Sequence, residues 1–259
     1  MSHLRHTVIR WLPARLRHAL RAWNSSRQVR HFTEERWPEA AVVRQLIRPG
    51  DVVVDAGANI GYLSALLARW VGPSGLVHSI EPIPETFQLL QNTMQKLGLR
   101  QVRCHDCGVS DRSGDAVMEV PAYPDGAENF YESHVVTAAQ LAENARAIKV
   151  RLMTLDEVVG ETLPRVSFMK VDVEGHEESA LLGAARLLEQ ARPALLVEIN
   201  HSLDQPTAET ARLLVRLESL GYRVYVREGT KVIRRRPGQR AVDYFFLTSD
   251  HLSDRLGAL

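Results

Sequence analysis

The stretch DVVVDAGANIGYLSALLARW, Asp51 to Trp70, opens with three consecutive valines, turns on two glycines and resumes with apolar residues at helical spacing. β-Branched residues favour strands, and a strand apolar on both faces belongs inside a parallel sheet. The segment therefore reads as a strand, Val52 to Ala56, a tight turn and a helix. Ligands of open parallel sheets sit beyond the carboxyl ends of the strands, which makes Gly57-Ala-Asn-Ile-Gly61 the first candidate for a binding loop.

Strand patterns recur after this unit, at Leu76 to Ile80, Gln101 to Cys107, Val166 to Asp172, Ala194 to Ile199, Tyr222 to Val226 and Tyr244 to Thr248. A short helical pattern, Glu39 to Ile47, precedes the first strand, and others lie between strands at Pro84 to Leu97, Glu177 to Gln190 and Thr207 to Leu220, the last closed by Gly221. Alternation of this kind implies an α/β fold with a mainly parallel sheet and helices on both faces. Asp115 to Val120 and Ala147 to Leu152 read as short extra strands around a loop. The final pair of strands, with a turn near Glu228-Gly229, reads as antiparallel.

The chain of 259 residues has ordinary globular composition, 45% hydrophobic and 24% charged, which suits one large domain with decoration. No apolar run has the length of a membrane span, and the Arg-interrupted start lacks the pattern of a signal peptide, so a cytoplasmic protein is expected. Two cysteines are too few for a disulfide scaffold. The net charge of +1 hides an uneven distribution: residues 1–33 carry seven arginines and no Asp, Glu or Lys, leaving 25 basic against 31 acidic residues in the remainder. The expected division is a basic arm over residues 1–33 and a catalytic domain over 34–259.

The glycines of the loop let the backbone pass close to a ligand, and Asn59 with the first amides of the next helix offers donors. Their spacing is Gly-x-x-x-Gly, which argues against the dinucleotide fingerprint and an NAD-dependent oxidoreductase. Asp55, at the end of the first strand, suits a cationic ligand better than a pyrophosphate. Glu81 ends the second strand, where a carboxylate accepts ribose hydroxyls. Loop and carboxylate together point to an adenosine-bearing ligand without a diphosphate. The competing account is that the glycines only shape a tight strand–helix joint.

The segments VVVDAGANIGYLS, SIEPIPETF, VSDRSGDAVMEV, MTLDEV, FMKVDVEGHEESALLGA and PALLVEIN resemble, in order and spacing, the FkbM-type S-adenosylmethionine-dependent methyltransferases. The resemblance spans about Val52 to Asn200. It implies the class I methyltransferase (Rossmann-like) fold, with a mainly parallel seven-stranded sheet and an antiparallel last strand. It also implies O-methylation of a hydroxyl on a sugar, glycolipid or polyketide-type product. By motif match Asp55, Gly57, Asn59, Gly61 and Glu81 take S-adenosylmethionine, with Tyr62, Pro82 and Asp172 beside them and Asp106 and Cys107 against the adenine.

KVDVEGHEE, Lys170 to Glu178, places charged residues on one side of a buried strand, an arrangement that is costly unless they are paired or used. A structural Lys-carboxylate network is the bland account. The functional one puts Asp172 at the cleft and turns the chain at Gly175, so that His176 lies near a helix N-terminus, neutral and able to accept a proton. His176 is the first candidate for the base and Asp172 the second, with Glu198 orienting the acceptor or the imidazole. A divalent metal held by Asp172, Glu198 and His201 is an alternative that the reading does not favour. Cys104 and Cys107 have pair spacing but no second pair to complete a zinc site, and read as small buried residues. A catalytically silent module that binds S-adenosylmethionine remains the third function class.

Leu4, Val8, Leu12, Leu16, Leu20 and Trp23 recur at helical spacing among arginines, so Met1 to Trp23 reads as a basic amphipathic helix interrupted at Pro13. It could be a lid on the cofactor cleft or a peripheral membrane anchor; nucleic acid is not the expected partner. The acceptor and the oligomeric state are not legible. Pro121 to Asn144, with Phe130 and Tyr131, is a candidate acceptor loop and equally a plain surface loop.

Overall fold

The computed structural model describes residues 14–121, 133–136 and 146–257, with backbone alone for 14–19. β1, Val52–Ala56, lies buried along its whole length between β2, Leu76–Ile80, and β8, Val166–Val171. β3, Val102–His105, flanks β2, and β9, Ala194–Glu198, flanks β8, all in parallel. Beyond β9 the sheet turns antiparallel through β12, Asp243–Leu247, β10, Arg223–Glu228, and β11, Lys231–Arg234, giving the order β11-β10-β12-β9-β8-β1-β2-β3.

Eight strands therefore stand where the sequence pattern suggests seven. The turn at Glu228-Gly229 joins β10 to the unanticipated β11, and β12 inserts between β10 and β9. β11 is four residues long and continues into a run of arginines, which hides its alternation.

Helices cover both faces, as two apolar clusters record. On one face α2, Ala40–Leu46, and α3, Tyr62–Val71, pack on Val53, Phe168, Leu196 and Phe245. On the other, α5, Leu155–Val159, α6, Glu177–Leu182, α7, Ala185–Gln190, and α8, Ala208–Ser219, pack on Val54, Met169, Leu195 and Phe246. α4, Pro84–Leu97, follows β2, starts on a proline and ends at Gly98 in the left-handed region.

The single helix expected over Glu177 to Gln190 is two. Gly183 ends α6 because its backbone lies against Ser110; a Cβ there would meet the Ser110 carbonyl oxygen at 2.0 Å. Asp156 then caps α7 by accepting from the Arg186 and Leu187 amides, both at 2.9 Å.

The extra strands form a sheet of their own. β4, Gly108–Val109, β7, Arg146–Met153, β5, Gly114–Val120, and β6, His134–Val136, lie in the order β4-β7-β5-β6. Their inward residues Met118, Val135, Ile148, Val150 and Leu152 pack on Ile83, just after β2. This sheet thus stands beside the carboxyl ends of the main strands, and part of the candidate acceptor loop is strand β6. Phe130 and Tyr131 lie outside the described residues.

α1, Ala14–Arg30, continues past Trp23 and packs against α4 and α3. Its buried side is small: Ala22, Ser25, Ser26 and Val29, with Val29 touching the cluster of Ala58, Ile60, Ala65, Leu90 and Met94. Leu20 and Trp23 face outward, 41% and 57% exposed, opposite to what an apolar stripe on a core-packed helix leads one to expect. Residues 1–13 of the arm lie outside the described residues.

Candidate active site

The loop after β1 is fixed by its neighbours. Gly57 and Ala58 donate to the Ile80 carbonyl at 3.1 and 2.9 Å, and Gly57, Asn59 and Gly61 all have positive φ. Gly57 cannot be replaced without movement, since at φ +83° its Cβ would stand 1.8 Å from the Asp172 carbonyl oxygen. A Cβ on Gly61 would meet Met94 at 2.4 Å.

Glu81 closes the loop from the other side. Its carboxylate accepts the Asn59 amide at 3.0 Å on one oxygen and the Ile83 amide at 2.9 Å on the other. Burial pushes its pKa up to about 7, against the pull of the two amides.

Across the opening, Asp172 follows β8 and pairs with the buried Lys170 at 2.5 Å. Burial disfavours the ammonium, but the carboxylates of Asp172, Asp243 and Asp55 outweigh it and hold Lys170 above its usual range. Glu174 and Gly175, both at positive φ, swing the chain to His176, the N-cap of α6. The His176 Nε2 lies 2.9 Å from Ser110 Oγ, and Ser110 Oγ donates to Asp111 at 3.1 Å. With its one proton directed to Asp111, Ser110 accepts from Nε2–H, which leaves Nδ1 as the imidazole atom with the lone pair. Burial lowers the His176 pKa, with Asp111 opposing, so the ring is neutral at neutral pH.

These groups enclose one cavity of roughly 840 Å³, counting the part open to solvent, a size typical of small-molecule sites. Gly57, Asn59, Glu81, Pro82, Asp172 and His176, all singled out from sequence, line it. The apolar wall comes from Ile83, Val109, Met118, Val135 and Leu152, of which strand patterns mark only Met118 and Leu152, without showing that they face a ligand. Ser110 was missed; its only signal is a Ser-Asp pair after β4, and its partner is 66 residues away.

Other expected residues lie elsewhere. Asp55 is buried beneath the loop and accepts from Ser64 at 2.6 Å, and desolvation raises its pKa. Tyr62 packs against Phe32 with the rings tilted by 49° and bonds Gln28 of α1. Asp106 is exposed and Cys107 is in the main core, so their neighbours Gly108 and Val109 form the wall in their place. Cys104 packs in the cluster under α1, away from Cys107. Burial pushes both thiols up to about 11.

Glu198 accepts from Asn200 at 3.1 Å and lies in register with Asp243 on the β9–β12 pair, outside the cavity lining. His201 bonds Thr210 at 2.7 Å. Among the described residues no three His, Cys, Asp or Glu side chains converge as metal ligands, so the Asp172, Glu198 and His201 arrangement is not formed.

The cavity fits S-adenosylmethionine. Gly57 provides bare backbone on the lining, packed so closely on the Asp172 carbonyl that no side chain is admitted, Glu81 a carboxylate for ribose hydroxyls, and the second sheet an apolar wall for a base. A mainly parallel sheet with antiparallel β12 inserted near one edge and antiparallel β11 closing that edge, carrying this loop and carboxylate at the ends of β1 and β2, defines a class I methyltransferase.

The chain belongs to the FkbM methyltransferase family: residues 55–224 match the Methyltransferase FkbM domain. It is 29% identical over 190 residues to Methyltransferase 1 of Beauveria bassiana, covering 67% of this chain and 73% of that protein. It is 30% identical over 190 residues to the 31-O-demethyl-FK506 methyltransferase FkbM of Streptomyces tacrolimicus, covering 65% and 72%. The solved methyltransferase FkbM of Methylobacillus flagellatus overlays at a TM-score of 0.49 with 19% identity, covering 81% of this chain and 50% of that one. That overlay carries no part of the assignment, which rests on strand order, loop and family match.

Proposed function

We propose that the protein is an O-methyltransferase that moves the methyl group of S-adenosylmethionine to a hydroxyl of a small-molecule or glycan acceptor, with His176 as general base. When bound, the cofactor supplies a methyl group on a positively charged sulfur that leaves as a neutral thioether. The chain's own part is to position and to take a proton. Glu81 and the Gly57–Asn59 backbone hold the nucleoside end, and the apolar wall excludes water. His176 Nδ1 accepts the hydroxyl proton as the new oxygen–carbon bond forms.

The observation that carries this reading is the neutral imidazole on the cavity wall, its Nε2 held by Ser110. Asp172 is the weaker candidate because Lys170 already engages its carboxylate. A hydroxyl acceptor on a sugar, glycolipid or polyketide-type product agrees with the name of the Streptomyces relative, a methyltransferase acting on an O-demethyl compound.

The test is incubation with methyl-labelled cofactor and metabolite extracts, followed by carbon NMR of the labelled product. A signal in the methoxy region supports the reading; labelled N-methyl or S-methyl product, or no transfer to any acceptor, counts against it.

A further inference from the structure

We propose that the outward face of α1, centred on Leu20 and Trp23, docks on an anionic lipid bilayer. The helix has two opposed stripes. Ala22, Ser25, Ser26 and Val29 face the body and are buried. Leu20, Trp23 and Arg27 recur at intervals of three and four on the other side, where they form one surface. A helix that only covered the core would turn its large apolar residues inward. Here the small residues pack and the indole stands in solvent.

The chemistry around the indole chooses the partner. The Arg27 guanidinium lies over the Trp23 ring, 5.6 Å from its centre. Trp23, Ser26, Arg27, Arg30, His31 and Lys96 line one surface depression, with no carboxylate among them. Arg21 adds a further exposed cation, and α1 contains no acidic residue. Apolar side chains inside a cationic surround suit a negatively charged interface, where Trp and Leu enter the headgroup layer while arginines meet phosphates. A nucleic acid would satisfy the charges but not Leu20. The sequence before the described helix adds Leu4, Val8 and Leu12 with Arg5 and Arg10, and again no acid. Contact of this kind is peripheral: among the described residues no helix is long and apolar enough to cross a membrane. The described part of α1 supplies no residue to the main cavity, so this surface is separate from the site of transfer.

The experiment is sedimentation of the full chain with phosphatidylcholine vesicles and with equimolar phosphatidylcholine–phosphatidylglycerol vesicles. Binding to the anionic vesicles alone is expected, weakening as salt rises. The Leu20→Ser/Trp23→Ser double variant, whose substituted side chains are exposed, should melt like the parent and partition at least tenfold more weakly. Arg27→Gln/Lys96→Gln is the second variant and should reduce the preference for anionic over neutral vesicles. Equal binding to both vesicle types, binding to neither, or a double variant that partitions like the parent would overturn the proposal. Displacement from vesicles by duplex DNA at equal ionic strength would assign the surface to nucleic acid instead.

Discussion

Lys170 holds Asp172 at 2.5 Å from a position in which its ammonium is buried inside the sheet. Register puts Asp55 beside Lys170 on β1, and Asp243 beside Glu198 two strands away. The alternation of each strand places Asp55, Lys170, Glu198 and Asp243 on the same side as Val53, Phe168, Leu196 and Phe245. One lysine thus serves a row of carboxylates at the carboxyl edge. Burial pushes Asp243 up to about 6 despite Lys170, and burial followed by the Asp172 charge raises Glu198.

Removing the cation should therefore expose an uncompensated acid. Lys170→Met is expected to cost about 3 kcal/mol of stability, the scale for breaking a buried pair from one side. Adding Asp172→Asn should recover part of that loss. Urea denaturation of the two singles and the double variant measures the coupling; strictly additive losses would show that the pair does not act as a unit.

Glu81 predicts a pH dependence of cofactor binding. Ribose hydroxyls donate to an ionised carboxylate, so with a pKa near 7 the free protein must lose a proton for the best contact. Affinity should fall as pH drops through 7, by about tenfold between pH 8 and pH 6. Calorimetry of the parent against Glu81→Gln isolates this effect, because the ligand's own titration is common to both. A ratio between the two proteins that stays constant with pH would contradict it.

Gly57→Ala is expected to abolish cofactor binding and to lower stability by at least about 2 kcal/mol, from a Cβ in the left-handed region and a clash with the Asp172 carbonyl. Gly175→Ala has the same positive φ but meets nothing within 4 Å, so it should show the conformational cost alone. Thermal melts of both variants give the comparison. Equal losses would mean that close approach to Asp172 is unimportant.

A buried histidine pair predicts acid lability away from the site. Thr162 Oγ1 donates to the Val159 carbonyl at 2.6 Å, so it accepts from His78 Nε2, and His78 Nδ1 then accepts from His105 Nε2 at 3.0 Å. Burial pushes His78 down to about 3 and His105 down to about 4. A histidine with a depressed native pKa stabilises the fold above its unfolded value and loses that contribution as pH falls below about 6.5. The melting temperature should drop by several degrees between pH 7 and pH 5, and by less in His78→Gln. The same drop in both proteins would assign the lability to other groups.

The central unit was legible because local signals agreed there: valines for a buried strand, glycines for the turn, a carboxylate at the next strand end. β1, β2 and α4 fall where their patterns put them. What escaped depends on contacts across the chain. The break at Gly183 follows from Ser110, 73 positions earlier, and β11 exists only because β10 pairs with it. Asp55 reads as a ligand residue from its position at a strand end, yet its side chain points under the loop to Ser64. In the arm, the described helix covers only Ala14 to Trp23 of the expected Met1 to Trp23 and runs on to Arg30; Leu20 and Trp23 face outward, because periodicity shows a stripe but not which side meets the body.

The most direct test of the account is His176→Ala, assayed with the acceptor that the labelled-methyl experiment identifies. The ring sits on the cavity wall and packs against Ser110, so its loss should leave S-adenosylmethionine affinity within about twofold of the parent while turnover falls roughly 10²- to 10⁴-fold. At saturating cofactor, where protonation of Glu81 does not limit turnover, the remaining activity should lose the acidic limb set by the imidazole, whose pKa burial lowers. Turnover equal to the parent, with the acidic limb retained, would contradict the assignment of His176 as the base.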